Sequence, residues 1–423
     1  MRFLFAETSD TVDPTYDFVR ARSRRDRRVH EDDEYPHEHL GHAPYDGILI
    51  SRAAFTDHRH AGKYSAARTM RFRREGARRF LRYPEADYPG SVLMGDCGAF
   101  SYRDADAPIY SVDDTLGFYA DGGFTHGCSV DHLIFDFDRA DPPGSAEARR
   151  RQGITLDLAD EFLARAHALG SGFTPVGVIQ GWSPASMADA ARRLHAMGYR
   201  SLALGGMARA DTADIECALR AVNAELGPRA VEMHMLGFGK IEDAPRLRAV
   251  GVTSFDTTSP LLRAFKDDRR NYFTSVGGRL DHYTAVRIPQ ASDDRHARRS
   301  AAARAAGQEA LIEGERRAMD AVRGYAAGSR SIGEALDGVI AYAEVVLRDD
   351  GISDAKNDGR FARLREMYGR TLGDRPWEAC GCRVCGEIGV EAVLFRSTNH
   401  NKRRGFHNLA VFHKHLKSQE PAQ

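Results

Sequence analysis

The chain has 423 residues, which is long enough for one large domain with attachments and for a sizeable buried core. Lysine and arginine together number 60, as do aspartate and glutamate, so the formal net charge of zero neither favours nor excludes a nucleic-acid partner. No apolar run reaches ~18 residues, which predicts no membrane span. The N-terminus does not resemble a secretory signal and the six cysteines do not form a disulfide framework, which favours a reducing cytoplasm.

The first segment, residues 1–46, is polar and irregular and carries a run of arginines between positions 20 and 28. The acidic stretch that follows contains four histidines: His30, His37, His39 and His42. Their spacing matches no familiar metal cage, so a solvated loop is favoured over a metal site.

From residue 47 onward, short apolar runs alternate with segments that have the apolar spacing of helices. Most of these runs are rich in Val, Ile, Leu or Phe and end near Gly, Asp or Gln, as strands do. The predicted strands are 47–53, 91–100, 132–138, 174–181, 201–207, 232–239 and 254–259. The segments between them, such as 154–170 and 183–198, end in glycine as helices do.

Alternation of strands and helices predicts parallel βαβ units. With an eighth strand at 282–288, the pattern favours a (β/α)8 TIM barrel over residues 47–290, and an open doubly wound sheet is the alternative. The remaining residues, 291–423, are predicted to form a helical region followed by a small metal-binding subdomain.

Carboxylates follow three of the predicted strands, and catalytic groups of a barrel lie at the C-terminal ends of its strands. These carboxylates are Asp96, the pair Asp136 and Asp138, and Asp256. Two carboxylates that face a sugar are the minimum for retaining glycosyl transfer, one as nucleophile and one as general acid and base. For any single aspartate, helix capping is the alternative.

A cluster of cysteines, Cys380, Cys382 and Cys385, has the spacing C-x-C-x2-C. Three thiolates this close can occupy three corners of a tetrahedral zinc site, and His407 is the predicted fourth ligand. A closed set of three cysteines and one histidine leaves no position for water, so the predicted zinc is structural. The alternative fourth ligands are His400, His413 and His415.

Six motifs, in order between about residues 91 and 416, resemble those of the tRNA-guanine transglycosylase superfamily. They are DCGAFS at 96–101, GVIQG at 177–181, LGGM at 204–207, LGFG at 236–239, GVTSFD at 251–256, and the cysteine cluster with HNL at 407–409. Any one of them is weak evidence, but six in the same order on the expected elements are specific.

The resemblance implies a role for individual residues. Asp256 is implied to be the nucleophile on C1′ of the nucleotide and Asp96 the general acid and base. Asp138, or its neighbour Asp136, is implied to read the base. The full set of implied substrate-binding residues is Phe100, Asp136, Asp138, Gln180, Gly181, Gly205, Gly206 and Met207, of which Gly206 and Met207 offer backbone groups to the 7-substituent. The superfamily exchanges guanine for a 7-deazaguanine without ATP or a redox cofactor.

Departures from the superfamily pattern favour its DNA-acting branch. Ala99 replaces a glycine and Ser101 a glutamine, and Pro260 is followed by Leu261, Leu262 and Arg263, whereas bacterial tRNA enzymes carry Pro-Thr-Arg shortly after the nucleophile. The interval from Cys385 to His407 is also short, and no appended RNA-binding domain is expected. These features resemble the branch that inserts derivatives such as preQ0 into DNA. A tRNA enzyme and a catalytically inactive nucleic-acid-binding barrel are the alternatives.

Two basic stretches are candidate phosphate contacts: the arginine-rich segment 68–82, which includes Phe72 and Phe80, and the run 402–404. Solvated helix faces are the alternative for both. The target nucleotide of a duplex has to be flipped out or single-stranded, and since the sequence has no P-loop, strand opening would need a separate ATPase partner. The predicted partners are therefore DNA (or tRNA) and a 7-deazaguanine base, and a homodimer remains open.

Overall fold

The computed structural model describes residues 1–55, 62–227, 230–292 and 300–419. The described residues form two compact units. The barrel unit comprises residues 1–9 and 45–259, and the C-terminal unit comprises residues 10–44 and 260–419. Among the described residues, no helix combines the length and the apolar character needed to cross a membrane.

Eight parallel strands close into a barrel in the order of the chain. They are β1 (Arg2–Ala6), β2 (Gly47–Ser51), β3 (Val92–Asp96), β4 (His126–Cys128), β5 (Thr174–Ile179), β6 (Ser201–Leu204), β7 (Glu232–Met235) and β8 (Ser254–Thr257). Closure occurs between β1 and β8, where Phe3 lies opposite Phe255. The predicted TIM-barrel class is therefore confirmed.

Helices connect successive strands of the barrel unit, and several begin at side-chain caps. They are α2 (Ala66–Phe80), α3 (Val112–Gly122), α4 (Ala146–Ala166), α5 (Pro184–Met197), α6 (Thr212–Leu226) and α7 (Ala244–Ala249). Ser111, Ser183 and Asp211 each accept a hydrogen bond from the third backbone amide of the helix that follows.

The barrel interior is filled by apolar side chains that include Leu4, Val92, Met94 and Val176. Outside it, the ring of Tyr119 on α3 lies against the glycines of β3 and β4, Gly95 and Gly127, where any Cβ would overlap it. The Tyr119 hydroxyl donates to the carbonyl of Cys128 at 2.9 Å. This close approach of α3 fixes the two strands whose ends open into the barrel mouth.

The C-terminal unit is mainly helical. Its helices are α1 (Pro36–Leu40), α8 (Ser259–Lys266), α9 (Ala301–Ala326), α10 (Ile332–Val346), α11 (Asp354–Asp374), α12 (Pro376–Ala379), α13 (Arg383–Ile388) and α14 (Thr398–Ser418). The first residue of α8, Ser259, still belongs to the barrel unit. Its strands are β9 (Tyr272–Val276), β10 (Arg279–Tyr283), β11 (Val286–Arg287) and β12 (Leu394–Phe395). The first two pair antiparallel, and the last two pair parallel.

Three strand predictions are wrong. Residues 2–6, within the segment expected to be irregular, form the first barrel strand. Residues 282–288 are split between the hairpin strand β10 and the short strand β11, because they pair with β9 and β12. Residues 132–138 form a loop, because β4 ends at Cys128 and the apolar Leu133 and Ile134 are buried without strand pairing.

Two predictions of solvated or phosphate-binding segments also fail. His37 and His39 are 0% and 1% exposed in α1, so this part of the histidine-rich stretch is packed. Arg403 and Arg404 are buried too, and donate to the backbone carbonyls of Asp13 at 2.9 Å and Leu394 at 2.6 Å. These guanidinium groups satisfy carbonyls inside the C-terminal unit and are not available to phosphates.

The barrel depends on its N-terminal strand, since Phe3 is fully buried and stacks on Phe255 with ring centroids 5.6 Å apart. We expect Phe3→Ala to lower the free energy of unfolding by about 3–5 kcal/mol, because it leaves a cavity at the closing seam. Urea denaturation measures the change. The control, Met70→Ala on an exposed face of α2, should change it by less than about 0.5 kcal/mol. Equal effects of the two substitutions would contradict a packed seam.

Candidate active site and metal centre

Asp256, near the end of β8, has one carboxylate oxygen held in place. Its Oδ1 accepts from the backbone amide of Gly237 at 2.8 Å and from Nε2 of His234 at 3.2 Å. The Ser254 hydroxyl lies 2.9 Å from the other ring nitrogen of His234, so it can donate there and leave the proton on Nε2. Oδ2 makes no hydrogen bond with any described residue, which leaves it available to a ligand.

Asp96 is the last residue of β3 and lies beside Asp256 in the barrel mouth. It accepts hydrogen bonds from the Ser51 side chain and the Gly98 amide. Burial raises the pKa of Asp96, and the negative charge of Asp256 raises it further. A carboxyl group with a raised pKa holds its proton closer to neutral pH, as a general acid must.

Asp131 is a third carboxylate in this mouth, three residues beyond β4. It is only 3% exposed. Its Oδ1 accepts from the Cys97 thiol at 3.0 Å and its Oδ2 from the Gln180 amide at 2.6 Å. Burial, with a contribution from the charge of Asp96, raises the pKa of Asp131 to about 6.

Gln180 and the glycines after β6 form the wall next to Asp131. Gln180 is fully buried, and its Oε1 accepts from the backbone amide of Ile134 at 3.1 Å, so both ends of its amide have partners. Gly205 and Gly206 leave room for this arrangement, because a Cβ on either would overlap the Gln180 amide or the Ile134 carbonyl. Gly206 also has a φ of +74°, which favours glycine. Met207 follows it and is 1% exposed.

Three of the residues singled out in the sequence lie outside this cluster. Asp136 and Asp138 are exposed on the loop after β4, and Asp138 caps a turn by accepting from the amide of Ala140 at 2.8 Å. Gly181 is buried against Ser186 and Met187 of α5, where it serves packing. Among the described residues, neither aspartate contacts Asp96 or Asp256.

The four predicted metal ligands come together in the C-terminal unit. The ligand atoms of Cys380, Cys382, Cys385 and His407 all lie within 4.8 Å of one another. The three sulfur atoms are 3.5, 3.4 and 3.4 Å from Nδ1 of His407. This arrangement could hold a metal ion.

The surroundings of His407 fit a metal ligand. Its Nε2 donates to the carbonyl of Phe273 at 2.8 Å, which leaves Nδ1 unprotonated toward the sulfurs. The Tyr272 ring stacks on the imidazole with centroids 4.0 Å apart. The alternative His400 instead binds Glu391 at 2.8 Å, and His415 lies 3.1 Å from the Ser275 hydroxyl.

Comparison with known proteins gives one decisive likeness. The chain is 38% identical to a DNA-guanine transglycosylase of Salmonella montevideo, in an alignment that covers 98% of this chain and 96% of the relative. The chain belongs to the DNA-guanine transglycosylase family. No protein-family model matches it. The predicted superfamily and the prediction of a transglycosylase enzyme are thereby confirmed.

Sequence reasoning missed two residues of this candidate site, Asp131 and His234. His234 stands opposite Ser254 in the register of β7 and β8, and only that pairing reveals its closeness to Asp256. Asp131 lies in the polar segment SVDH directly after β4. A strand ending at Cys128 would have marked it as a candidate.

The rim of the mouth carries two exposed aromatic rings. Phe100 and Phe135 are 51% and 37% exposed and meet edge to face, with centroids 6.2 Å apart. The guanidinium group of Arg209 lies 5.9 and 5.4 Å from the two centroids, and that of Arg103 lies 4.7 Å from Phe100. Exposed aromatic rings with nearby guanidinium groups are suited to stacking on planar bases.

Proposed function

We propose that this transglycosylase exchanges guanine in DNA for a 7-deazaguanine derivative such as preQ0. The observation that carries the proposal is the carboxylate pair in one barrel mouth, with Asp256 held by one oxygen and Asp96 given a raised pKa. The relative whose name includes DNA matches nearly the whole chain, which favours DNA over tRNA as the substrate.

The first half of the reaction releases guanine. Oδ2 of Asp256 attacks C1′ of the nucleotide, and the bond from C1′ to N9 breaks with its electron pair going to the base. Asp96 donates its proton to that base, which leaves as neutral guanine. The Gly237 amide and His234 orient the attacking carboxylate through its other oxygen.

The second half installs the new base. The incoming 7-deazaguanine gives its N9 proton to the Asp96 carboxylate, and N9 attacks C1′. The ester bond from C1′ to Asp256 breaks, and its electron pair returns to the carboxylate. Two displacements at the same carbon retain the configuration of the sugar, as in retaining glycosidases.

Asp131 replaces Asp136 and Asp138 as our candidate for the carboxylate that reads the base. One edge of guanine presents N–H donors, which an ionised carboxylate accepts. Cys97 and Gln180 occupy one hydrogen-bonding position on each Asp131 oxygen, and a carboxylate offers about four in all. Phe100 would stack on the plane of the base, and Gly206 and Met207 would offer backbone groups to its 7-substituent.

The cysteine and histidine cluster is proposed to hold a structural zinc ion. Three thiolates and one imidazole close a tetrahedron, so bound zinc would link α13 and α14 and leave no coordination position for water or substrate. A buried C1′ also has to be exposed before Asp256 can reach it, so a separate strand-opening ATPase remains the proposed partner for duplex DNA.

The direct test offers labelled guanine or preQ0 with single-stranded DNA, duplex DNA or bulk tRNA to the purified protein. We expect exchange into DNA, and Asp256→Asn should reduce it more than about 1000-fold, because the amide is a poor nucleophile. Asp136→Asn, which neutralises an exposed carboxylate on the loop after β4, is the matched control and should exchange normally. Incorporation into tRNA alone, or normal turnover by Asp256→Asn, would contradict the proposal.

The pKa of Asp131 predicts how base binding depends on pH. An acid is ionised above its pKa, so lowering the pH through about 6 protonates Asp131 and removes an acceptor for guanine. We expect the Kd for guanine, measured by calorimetry, to rise between pH 7 and pH 5. Asp131→Asn should bind guanine weakly throughout and show no such rise. The same rise in this variant would place the titrating group elsewhere, with Asp96 as the first candidate.

Metal analysis tests the zinc site. The wild-type protein should contain about one zinc ion per chain, and Cys382→Ser should lose it and melt at a lower temperature, because zinc binding contributes to folding. Cys217→Ser, on α6 of the barrel unit, is the control and should retain zinc. Full zinc content in Cys382→Ser would exclude this residue as a ligand.

A further inference from the structure

The C-terminal unit contains a cavity of about 960 Å³ between helix α11, strand β11 and the end of α10. Six cationic side chains line it: Arg269, Arg287, Lys356, Arg360, Arg363 and Arg370. Only two carboxylates, Asp268 and Glu366, lie among the lining residues, so four positive charges remain in excess. Apolar side chains such as Leu347 and Leu364 form part of the wall. We call this feature the basic cavity.

The cations of α11 recur with the period of a helix. Lys356, Arg360, Arg363 and Arg370 follow one another at intervals of four, three and seven residues, which places them on one face. At ~1.5 Å of rise per residue this stripe is about 21 Å long. That length corresponds to about six nucleotide steps of one DNA strand at ~3.4 Å each. The stripe is therefore longer than the phosphate group of a single nucleotide.

Most of these charges are not neutralised within the protein. Arg370 pairs with Asp281 at 2.8 Å, and Arg360 donates to the carbonyl of Leu347 at 2.9 Å. In the part of the chain that the structure describes, Arg269, Lys356 and Arg363 form no ion pair, and all three are exposed. Arg287 lies over the ring of Phe395, 5.4 Å from its centroid. Such cations are available to an anionic ligand.

Most arginines of the basic runs that stand out in the sequence already have partners within the protein. Arg403 and Arg404 are buried on carbonyls. In the segment 68–82, Arg71 pairs with Glu75 at 2.9 Å and Arg73 with Asp121 at 3.6 Å. Phe72 and Phe80 of that segment are buried in the barrel unit, so neither ring can stack on a base.

We propose that the basic cavity, whose lining residues all belong to the C-terminal unit, binds the phosphodiester backbone of the DNA substrate. This inference rests on the proposed function for the identity of the polyanion. The stripe contacts phosphates along one strand, and the apolar wall accepts the sugars. Contacts of this kind set affinity and its dependence on salt, and carry no base specificity.

The test compares two triple variants of the full-length protein. Arg269→Gln/Lys356→Gln/Arg363→Gln removes the three exposed cations without ion pairs. Arg193→Gln/Arg220→Gln/Lys414→Gln removes three exposed cations outside the cavity and is the matched control. Fluorescence anisotropy measures the Kd for labelled single-stranded DNA, duplex DNA and tRNA at several salt concentrations. Zinc content and melting temperature show that each variant is folded.

For the cavity variant we expect weaker binding to DNA, with a slope of log K against log salt that is smaller by about 2–3 for three lost phosphate contacts. The KM for DNA in base exchange should rise while kcat at saturating DNA is unchanged, because the carboxylates are untouched. The control should match the wild type in slope and KM. An unchanged slope in the cavity variant, or a loss confined to tRNA, would overturn the inference.

This outcome is separable from the proposed function. If the wild type binds DNA through the cavity but exchanges no base in DNA, the reaction is wrong and the binding site stands. If the wild type exchanges guanine in DNA and the cavity variant binds DNA with the wild-type slope, the reaction stands and the cavity assignment is wrong.

Discussion

Desolvation of carboxyl groups in the barrel mouth is the constraint on which the site depends. A buried carboxylate is costly unless donors reach it, and neighbouring negative charges increase that cost. In the barrel mouth, different hydrogen-bond donors reach each carboxylate. Asp256 receives a backbone amide and an imidazole, and Asp131 receives a thiol and an amide. Burial and the negative charge of Asp256 raise the pKa of Asp96, which suits the role of proton donor that we propose for it.

The residues around the carboxylates support the site by packing as well as by hydrogen bonds. Gly205 and Gly206 admit the Gln180 amide and the backbone of Ile134, and these contacts in turn hold the loop that begins at Asp131. Farther down, Gly95 and Gly127 admit the ring of Tyr119 and so fix the strands that present Asp96 and lead to Asp131. A side chain at any of these positions would move a carboxylate, since packed interiors transmit displacements of this kind.

Part of this site is readable from sequence because some barrel strands are clear apolar runs. Asp96, Gln180 and Asp256 lie at or just past the ends of such runs, and the rule that strand ends meet at one rim brings them together. Strand β4 has only three residues, His-Gly-Cys, so the apolar segment 132–138 gives the stronger strand signal and draws attention to Asp136 and Asp138 at its end, past Asp131. The link between His234 and Asp256 depends on strand register, which composition and periodicity do not reveal.

For charged residues too, closeness in the sequence does not predict closeness on the protein surface. Arg403 and Arg404 are adjacent in the sequence, yet both guanidinium groups are buried in the C-terminal unit, where they donate to backbone carbonyls. Lys356, Arg360 and Arg363 are dispersed among other residues, yet the helical period places them on one face of the basic cavity. A chain with no net charge can therefore present a positive surface, because many of its acidic residues pair with arginines elsewhere, as Glu75 does with Arg71 and Glu147 with Arg150. The distribution of charge, and not its sum, decides whether such a protein can hold a polyanion.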